Sequence, residues 1–343
     1  MILNFLQQLP AALRIAVIAI GWVILVGGMH FFLNGERPPA NHVLMGYMPV
    51  ITNLAAPVVD YATRAANVRF EALKFGSFAE MSEAFRSGHI QAAFIIAPLA
   101  VALHQQGVPL KVVYIGNRHE STLVQRKDLQ CRSLSEMRGK TVAVPIRYSG
   151  HLLAVKRYLR EQGMDPECIR LVEIPPPDMP AALSTGGIDG YFVGEPFASK
   201  ALVSGIATRL VDVEAIWPKF ICNLMIVRDD LVRDHPDWVQ TLVTASVRSG
   251  FWARDHIEDA VALATRYWGQ DPKVVSYAFE HPPGRVRFDL YTPAVEEMEQ
   301  VAEEMRSAGL LDGRPDLSAM VEDRFARAVK VEKVSSVDKV LVQ

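Results

Sequence analysis

Arg147 and Tyr148 stand side by side in the loop Pro145–His151 (PIRYSGH). A guanidinium can grip a carboxylate or sulfonate through two parallel N–H bonds, and a neighbouring ring can stack on an aromatic ligand. Ser149 and His151 follow in the same loop, a hydroxyl at a helix start and an imidazole on the helix that leaves it. Four further stretches offer comparable groups: Pro49–Asn53, with Thr52 and Asn53; Phe75–Phe78, with Gly76 and Ser77; Ala97–Leu99, around Pro98; and Gly194–Phe197, with Glu195. Each also has a plain structural reading. Arg147 can be a solvated loop residue, Tyr148 can pack on a lobe surface, and His151 can lie on an exposed helix face. Asn53, Ser77 and Ser149 suit helix caps, Pro98 shapes its turn, and a carboxylate such as Glu195 stabilises a helix N-terminus.

Catalytic signatures are thin. Gly139-Lys140-Thr141 invites a phosphate-loop reading, but that pattern needs glycine where Leu134 stands. There is no HExxH and no GxSxG, and the three cysteines, Cys131, Cys168 and Cys222, form no CxxC pair. No metal site, cofactor or disulfide framework is expected. A formal net charge of -2 on 343 residues gives no basic face for nucleic acid.

The elements that must position these residues are legible as alternating strands and helices. Val43–Pro49, Val68–Phe75, Gln91–Ala97, Lys111–Gly116, Thr141–Pro145, Ile169–Ile174 and Asp189–Val193 read as strands, several apolar enough to be buried on both faces. Strands of this kind separated by helices predict an α/β fold with parallel sheets covered on both sides. Ser77 with Glu80 and Ser133 with Glu136 have capping-box spacing, and Asp178 precedes Pro180 as a helix start. Gly163 is placed to end the helix that follows Ser149. The five polar stretches all fall where a strand feeds a helix. Ligands of open α/β sheets lie there, next to helix N-termini that favour anions. From His235 onward helices dominate, at 235–256, 257–268 and 293–308.

At the N-terminus, Ile15–Leu33 (IAVIAIGWVILVGGMHFFL) has no formally charged residue and is long enough to span a bilayer as a helix. Arg14 before it favours a cytoplasmic N-terminus. No small-residue cleavage site follows and no cysteine for lipid attachment, so an uncleaved signal anchor is expected, with a cleaved leader or a buried helix as alternatives. Residues 1–14 would then be a cytoplasmic stub and 34–41, with Pro38-Pro39, a stiff linker. The tail at 330–343, with Ser335-Ser336, reads as disordered.

Pro175-Pro176-Pro177-Asp178-Met179, then Ile188-Asp189-Gly190, then Gly194-Glu195-Pro196-Phe197 resembles the nitrate- and bicarbonate-binding proteins of ABC importers, a group that also includes sulfonate-, taurine- and thiamine-precursor-binding proteins. Gly76-Ser77 followed by Ser87–Ala93, and Leu134–Val144, fit the same order over about Val43 to Leu311. The resemblance implies a two-lobed periplasmic-binding-protein (type II) fold with a two-stranded hinge. Lobe one would hold 42–125 plus 216–329 and lobe two 130–212, with a transmembrane helix ahead of both. It implies a small, anionic ligand between the lobes, held by residues among Pro49, Thr52, Asn53, Gly76, Ser77, Pro98, Arg147, Tyr148, Ser149, His151 and Glu195. It also implies ABC permease and ATPase partners, and a binding domain outside the cytoplasmic membrane. The Arg147-Tyr148 pair departs from the nitrate-type loop and points to a carboxylate, sulfonate or aromatic ligand as readily as to nitrate. A membrane-anchored sensor, or an enzyme built on the binding-protein fold, are the alternative readings.

Overall fold

In a computed structural model of the protein, which describes residues 10–34 and 41–341, ten strands form two five-stranded sheets. Most of the expected stub and residues 35–40 of the expected linker lie outside the described residues. The first sheet has the order β2-β1-β3-β10-β4, from β1 (His42–Tyr47), β2 (Arg69–Lys74), β3 (Ala92–Ile96), β4 (Leu110–Ile115) and β10 (Asn223–Arg228). The second has the order β7-β6-β8-β5-β9, from β5 (Ser121–Arg126), β6 (Thr141–Val144), β7 (Arg170–Glu173), β8 (Gly190–Gly194) and β9 (Ala207–Asp212). The central β3 and β8 are buried along their whole length, as their unbroken apolar runs require.

Neither sheet is purely parallel, contrary to the sequence expectation. β1 and β3 run parallel, as do β6, β7 and β8, but β10 is antiparallel to β3 and β4, and β5 is antiparallel to β8 and β9. In each sheet the antiparallel strand is the one that arrives from the other lobe. A strand that enters from the cleft must run away from it, while its neighbours run toward it. Because β5 belongs to the second sheet, the chain leaves the first after Ile115, ahead of the expected boundary at 125. The hinge is also wider than two strands. Arg118 bridges both Ile221 and Arg287, so the segment near 287 lies alongside the two crossings as a third.

Several local expectations change with context. Ser133 does not start a full helix. Leu134–Met137 is a 3-10 turn cut short by Gly139, whose φ is +76°, and Glu136 instead accepts from the Arg132 N–H at 3.0 Å. Asp178 caps nothing with its side chain because it ends the 3-10 turn Pro176–Asp178 and already has helical dihedrals. Gly163 does follow the helix Gly150–Glu161 in the left-handed region (φ 66°). The C-terminal part is helical: Pro236–Asp255, Ile257–Trp268 and Val295–Ser307 match the expected spans, and Pro272–Glu280 is additional. Over its described residues, 330–341, the tail is ordered rather than loose. Val334 and Val340 are buried, and buried Arg248 donates to the carbonyls of Lys339 and Val340 at 2.7 and 3.0 Å.

The N-terminal helix forms a separate unit, Ala11–Asn34, and Ala11–Met29 within it has a mean hydropathy of 2.2. Its apolar side chains, Trp22 and Val23 among them, are exposed. A helix this apolar all round is what a bilayer accommodates. Length and composition alone suit an anchor and a leader equally.

Candidate functional site

The carboxyl ends of β1, β3, β6 and β8 all face the boundary between the sheets, and the sequence-selected residues divide there into a floor and a rim. Pro49, Thr52, Asn53, Pro98, Ser149, His151 and Glu195 are buried. Ser77 and Tyr148 are half-buried, and Gly76 and Arg147 are exposed.

The lobe-one part of the floor is tied down by side chains. Asn53 does not cap the following helix, since Leu54 takes that position. Its Nδ2 donates to the Met48 carbonyl (2.9 Å), and its Oδ1 accepts from Asn223 Nδ2 (2.8 Å). Gln270 Nε2 donates to the Pro49 carbonyl (3.2 Å). Gly116 sits so close that a Cβ there would lie 1.9 Å from the Thr52 carbonyl oxygen, which only glycine avoids. Ser77, by contrast, is a helix cap, accepting from the Ala79 N–H at 3.2 Å.

In lobe two, Ser149 accepts from the Leu152 N–H (3.3 Å) and so caps the helix Gly150–Glu161. His151 lies between the rings of Phe192 and Phe220, with centroids 5.2 and 5.7 Å away, and its Nε2 meets Ser121 Oγ at 2.9 Å. Burial lowers its pKa to about 3, so the ring is neutral, and its Nδ1 is buried without a partner. Among the described residues, Arg147 is hydrogen-bonded through its backbone N–H, which donates to Glu173 Oε2 (2.9 Å), while its guanidinium lies 5.3 Å from the centre of the Tyr148 ring.

Two glutamates join the lobes, Glu195 through its backbone carbonyl and Glu120 through its carboxyl. Glu195 accepts from the Ser199 N–H (2.8 Å) and Thr122 Oγ1 (3.0 Å); Pro196 is the cap residue of the helix Phe197–Val203, and the Glu195 carboxylate satisfies a free N–H in that helix's first turn. Its carbonyl also accepts from the Ile51 N–H of lobe one (2.9 Å). Glu120, on the first crossing, accepts from the Glu195 N–H (2.6 Å) and from Thr52 Oγ1 (3.4 Å). Burial pushes the Glu120 carboxyl up to about 7 and raises Glu195 as well. The Cys222 thiol, which donates to Asn223 Oδ1 at 3.6 Å, is raised well above its ordinary value by burial and then by Glu120. Arg285 is buried and neutralised. It pairs with Glu214 (2.9 Å) and Asp212 (3.2 Å) and donates to Thr122 Oγ1 (2.7 Å).

Glu120, Ser121, Thr122, Asn223 and Arg285 were not reached from sequence, because none lies at a strand-to-helix junction. Asn117 belongs with them: it is 1% exposed, and both its amide atoms lack a partner. A signal was present, since Asn117–Thr122 (NRHEST) is an unbroken polar run between two apolar stretches.

Residues 36–266 match the model of the NMT1-like family. The chain belongs to that family. Proteins similar to it include the taurine-binding periplasmic protein of Escherichia coli, 30% identical over 181 residues (51% of this chain, 54% of that protein). The nitrate/nitrite binding protein NrtA of Synechococcus elongatus is 22% identical over 254 residues (65% and 57%). The chain thus spans just over half the length of these two relatives. A shorter stretch, 99 residues (29% of this chain, 27% of that protein), is 31% identical to a 2'-hydroxybiphenyl-2-sulfinate desulfinase of Rhodococcus erythropolis. Among solved structures, a ligand-binding component of an ABC-type import system from Staphylococcus aureus, with zinc bound, superposes with a TM-score of 0.76 at 22% identity, covering 84% of this chain and 99% of that one. The family fold is therefore the two-lobed type II periplasmic-binding-protein fold expected from the sequence.

Proposed function

We propose that this chain is the solute-binding component of an ABC importer, held at the outer face of the cytoplasmic membrane by the helix Ala11–Asn34. It closes two lobes on a small organic anion and presents the closed form to a permease driven by an ATPase. The observation that carries this reading is the convergence of strand ends from both sheets on one buried polar floor. Family membership and the named functions of the taurine- and nitrate-binding relatives support it. In this reading Arg147 takes the anionic group at the rim and Tyr148 covers the ligand body. Thr52, Asn53, Ser149 and His151 line the floor, while Pro49, Gly76, Ser77, Pro98 and Glu195 shape and brace the loops around it. An organic anion is favoured over a bare inorganic one because the buried arginines of the hinge are already paired with carboxylates, while Arg147 at the exposed rim stands beside the Tyr148 ring, which can cover an organic ligand body. Binding is favoured over thiol chemistry because burial keeps the Cys222 thiol protonated.

The test is a thermal-shift screen of the full chain in nanodiscs with taurine, alkanesulfonates, aromatic carboxylates, nitrate, nitrite and bicarbonate. A true ligand at 100 times its Kd adds about 2.7 kcal/mol. A sulfonate or carboxylate hit is expected. A hit with nitrate or bicarbonate alone would overturn the organic-anion assignment. A flat response from folded protein would overturn the assignment to this ligand panel as a whole.

A further inference from the structure

The chain passes between the sheets at 116–120 and returns at 217–222. Among the described residues, two that are not glycine have a positive φ, His119 at 66° and Lys219 at 59°. Such conformations are strained for L side chains and persist where the surroundings enforce them, often at switch regions. One lies on each crossing, and they are bonded to each other: the Lys219 backbone N–H donates to His119 Nε2 at 3.2 Å. The Lys219 carbonyl is held from the same side, accepting from Arg118 Nη1 at 2.6 Å. Both strained residues are therefore fixed by contacts across the hinge itself.

We propose that this His119–Lys219 hydrogen bond is a latch that sets the angle between the lobes and holds only while the imidazole is neutral. An Nε2 that accepts an N–H must carry a lone pair, and a protonated ring has N–H on both nitrogens. His119 is half-buried, and the groups facing it mostly oppose protonation. Burial lowers its pKa first. Arg118 on its own crossing, and Arg287 and Arg285 on the third hinge segment, act in the same direction, while Glu214 acts against them. The Lys219 ammonium is on an exposed residue. The sign follows from that lowered pKa. The latched conformer is fully favoured above the ordinary imidazole value of about 6.5. It is lost as pH falls through the lower value of the latched ring, by up to about tenfold per pH unit. His119 is thus a positioning residue for closure. Its role in ligand capture rests on the import reading, whereas the latch itself does not.

The experiment measures the hinge without ligand. In the full chain in nanodiscs, with Cys131 and Cys168 replaced by serine, spin labels are placed on Glu80→Cys in lobe one and Gln162→Cys in lobe two, both exposed positions. Pulsed electron paramagnetic resonance then gives the inter-lobe distance at pH 8 and pH 5. The parent should shift between the two. His119→Gln, which places a non-titrating acceptor near the position of Nε2, should keep the pH 8 distance at pH 5. His119→Ala should show the pH 5 distance already at pH 8. An unchanged parent distance, or a His119→Gln variant that shifts as the parent does, would overturn the latch. If His119→Ala does not fold by circular dichroism, the parent and His119→Gln decide the matter. A titrating distance with no hit in the ligand panel would overturn the ligand assignment and leave the latch, and a hit with a pH-invariant distance would do the reverse.

Discussion

The two sheets share one strand order, yet the loops they bring to the cleft are built differently. In lobe one, Pro49–Asn53 is fastened by Asn53 to Met48 and Asn223, by Gln270 to the Pro49 carbonyl, and by the close approach of Gly116. In lobe two, Ser149 and His151 are fixed and half-buried Tyr148 packs against the core, but Arg147 ahead of them rests on one backbone bond and on the Tyr148 ring. One half of the cleft is preorganised and the other keeps side-chain freedom. Preorganised groups contribute affinity without an ordering cost, while freer ones can adapt to ligand shape. Under the proposed function, the work is divided by lobe: stability of the site on one side, choice of ligand on the other.

Three substitutions break or sharpen that contrast. The largest effect is expected from Asn53→Ala, which leaves Asn223 Nδ2 buried without its acceptor and removes one of the two hydrogen bonds to the Met48 carbonyl, the other coming from the Val50 N–H. A loss of roughly 2–4 kcal/mol should appear in denaturant unfolding, about 1–3 kcal/mol for the stranded amide and about 1 kcal/mol for the lost bond to Met48. A cost below 0.5 kcal/mol, the ordinary size of a surface change, would mean the lobe-one loop is not preorganised by these bonds.

Glu120→Gln comes next and tests the joint between the halves. Its carboxyl titrates near 7 in the fold and at about 4.3 unfolded, so between those values the folded state binds more protons. The stability contributed by protonated Glu120 is therefore present at low pH and lost as pH rises through that window. The variant should match the parent near pH 4 and exceed it by roughly 1–3 kcal/mol at pH 8. Parallel pH profiles for the two proteins would assign that window to another group.

The smallest effect on stability is expected from Arg147→Ala, within about 0.5 kcal/mol of the parent. Its effect on ligand should still be large, a tenfold or greater loss of affinity by calorimetry, because hydrogen bonds to charged groups contribute about 1.5–3 kcal/mol. Unchanged affinity would take Arg147 out of the site. A large loss of stability would show that the lobe-two loop is as braced as its counterpart.

Seven strands and the long C-terminal helices were readable because apolar runs and helical spacing report burial directly. β5 (STLVQR) was not, although it is buried. Its Ser121, Thr122 and Gln125 meet His151, Glu195 and the Cys131 carbonyl, so its interior is satisfied by hydrogen bonds that leave no hydrophobic pattern. The site was legible in the same partial way. Strand-to-helix junctions follow from local sequence, and the rim and much of the floor lie on them. Glu120, Asn223 and Arg285 reach the floor through long-range crossings, which spacing along the chain does not encode.

The exchanged strands also set an order of assembly. Everything in the second sheet comes from one uninterrupted stretch, 121–212, whereas the first lacks β10 between β3 and β4 until residues 223–228 have emerged. A chain made from its N-terminus therefore begins lobe one first but can complete lobe two first, and the unfinished gap beside β3 is the surface a chaperone would have to shield in the meantime.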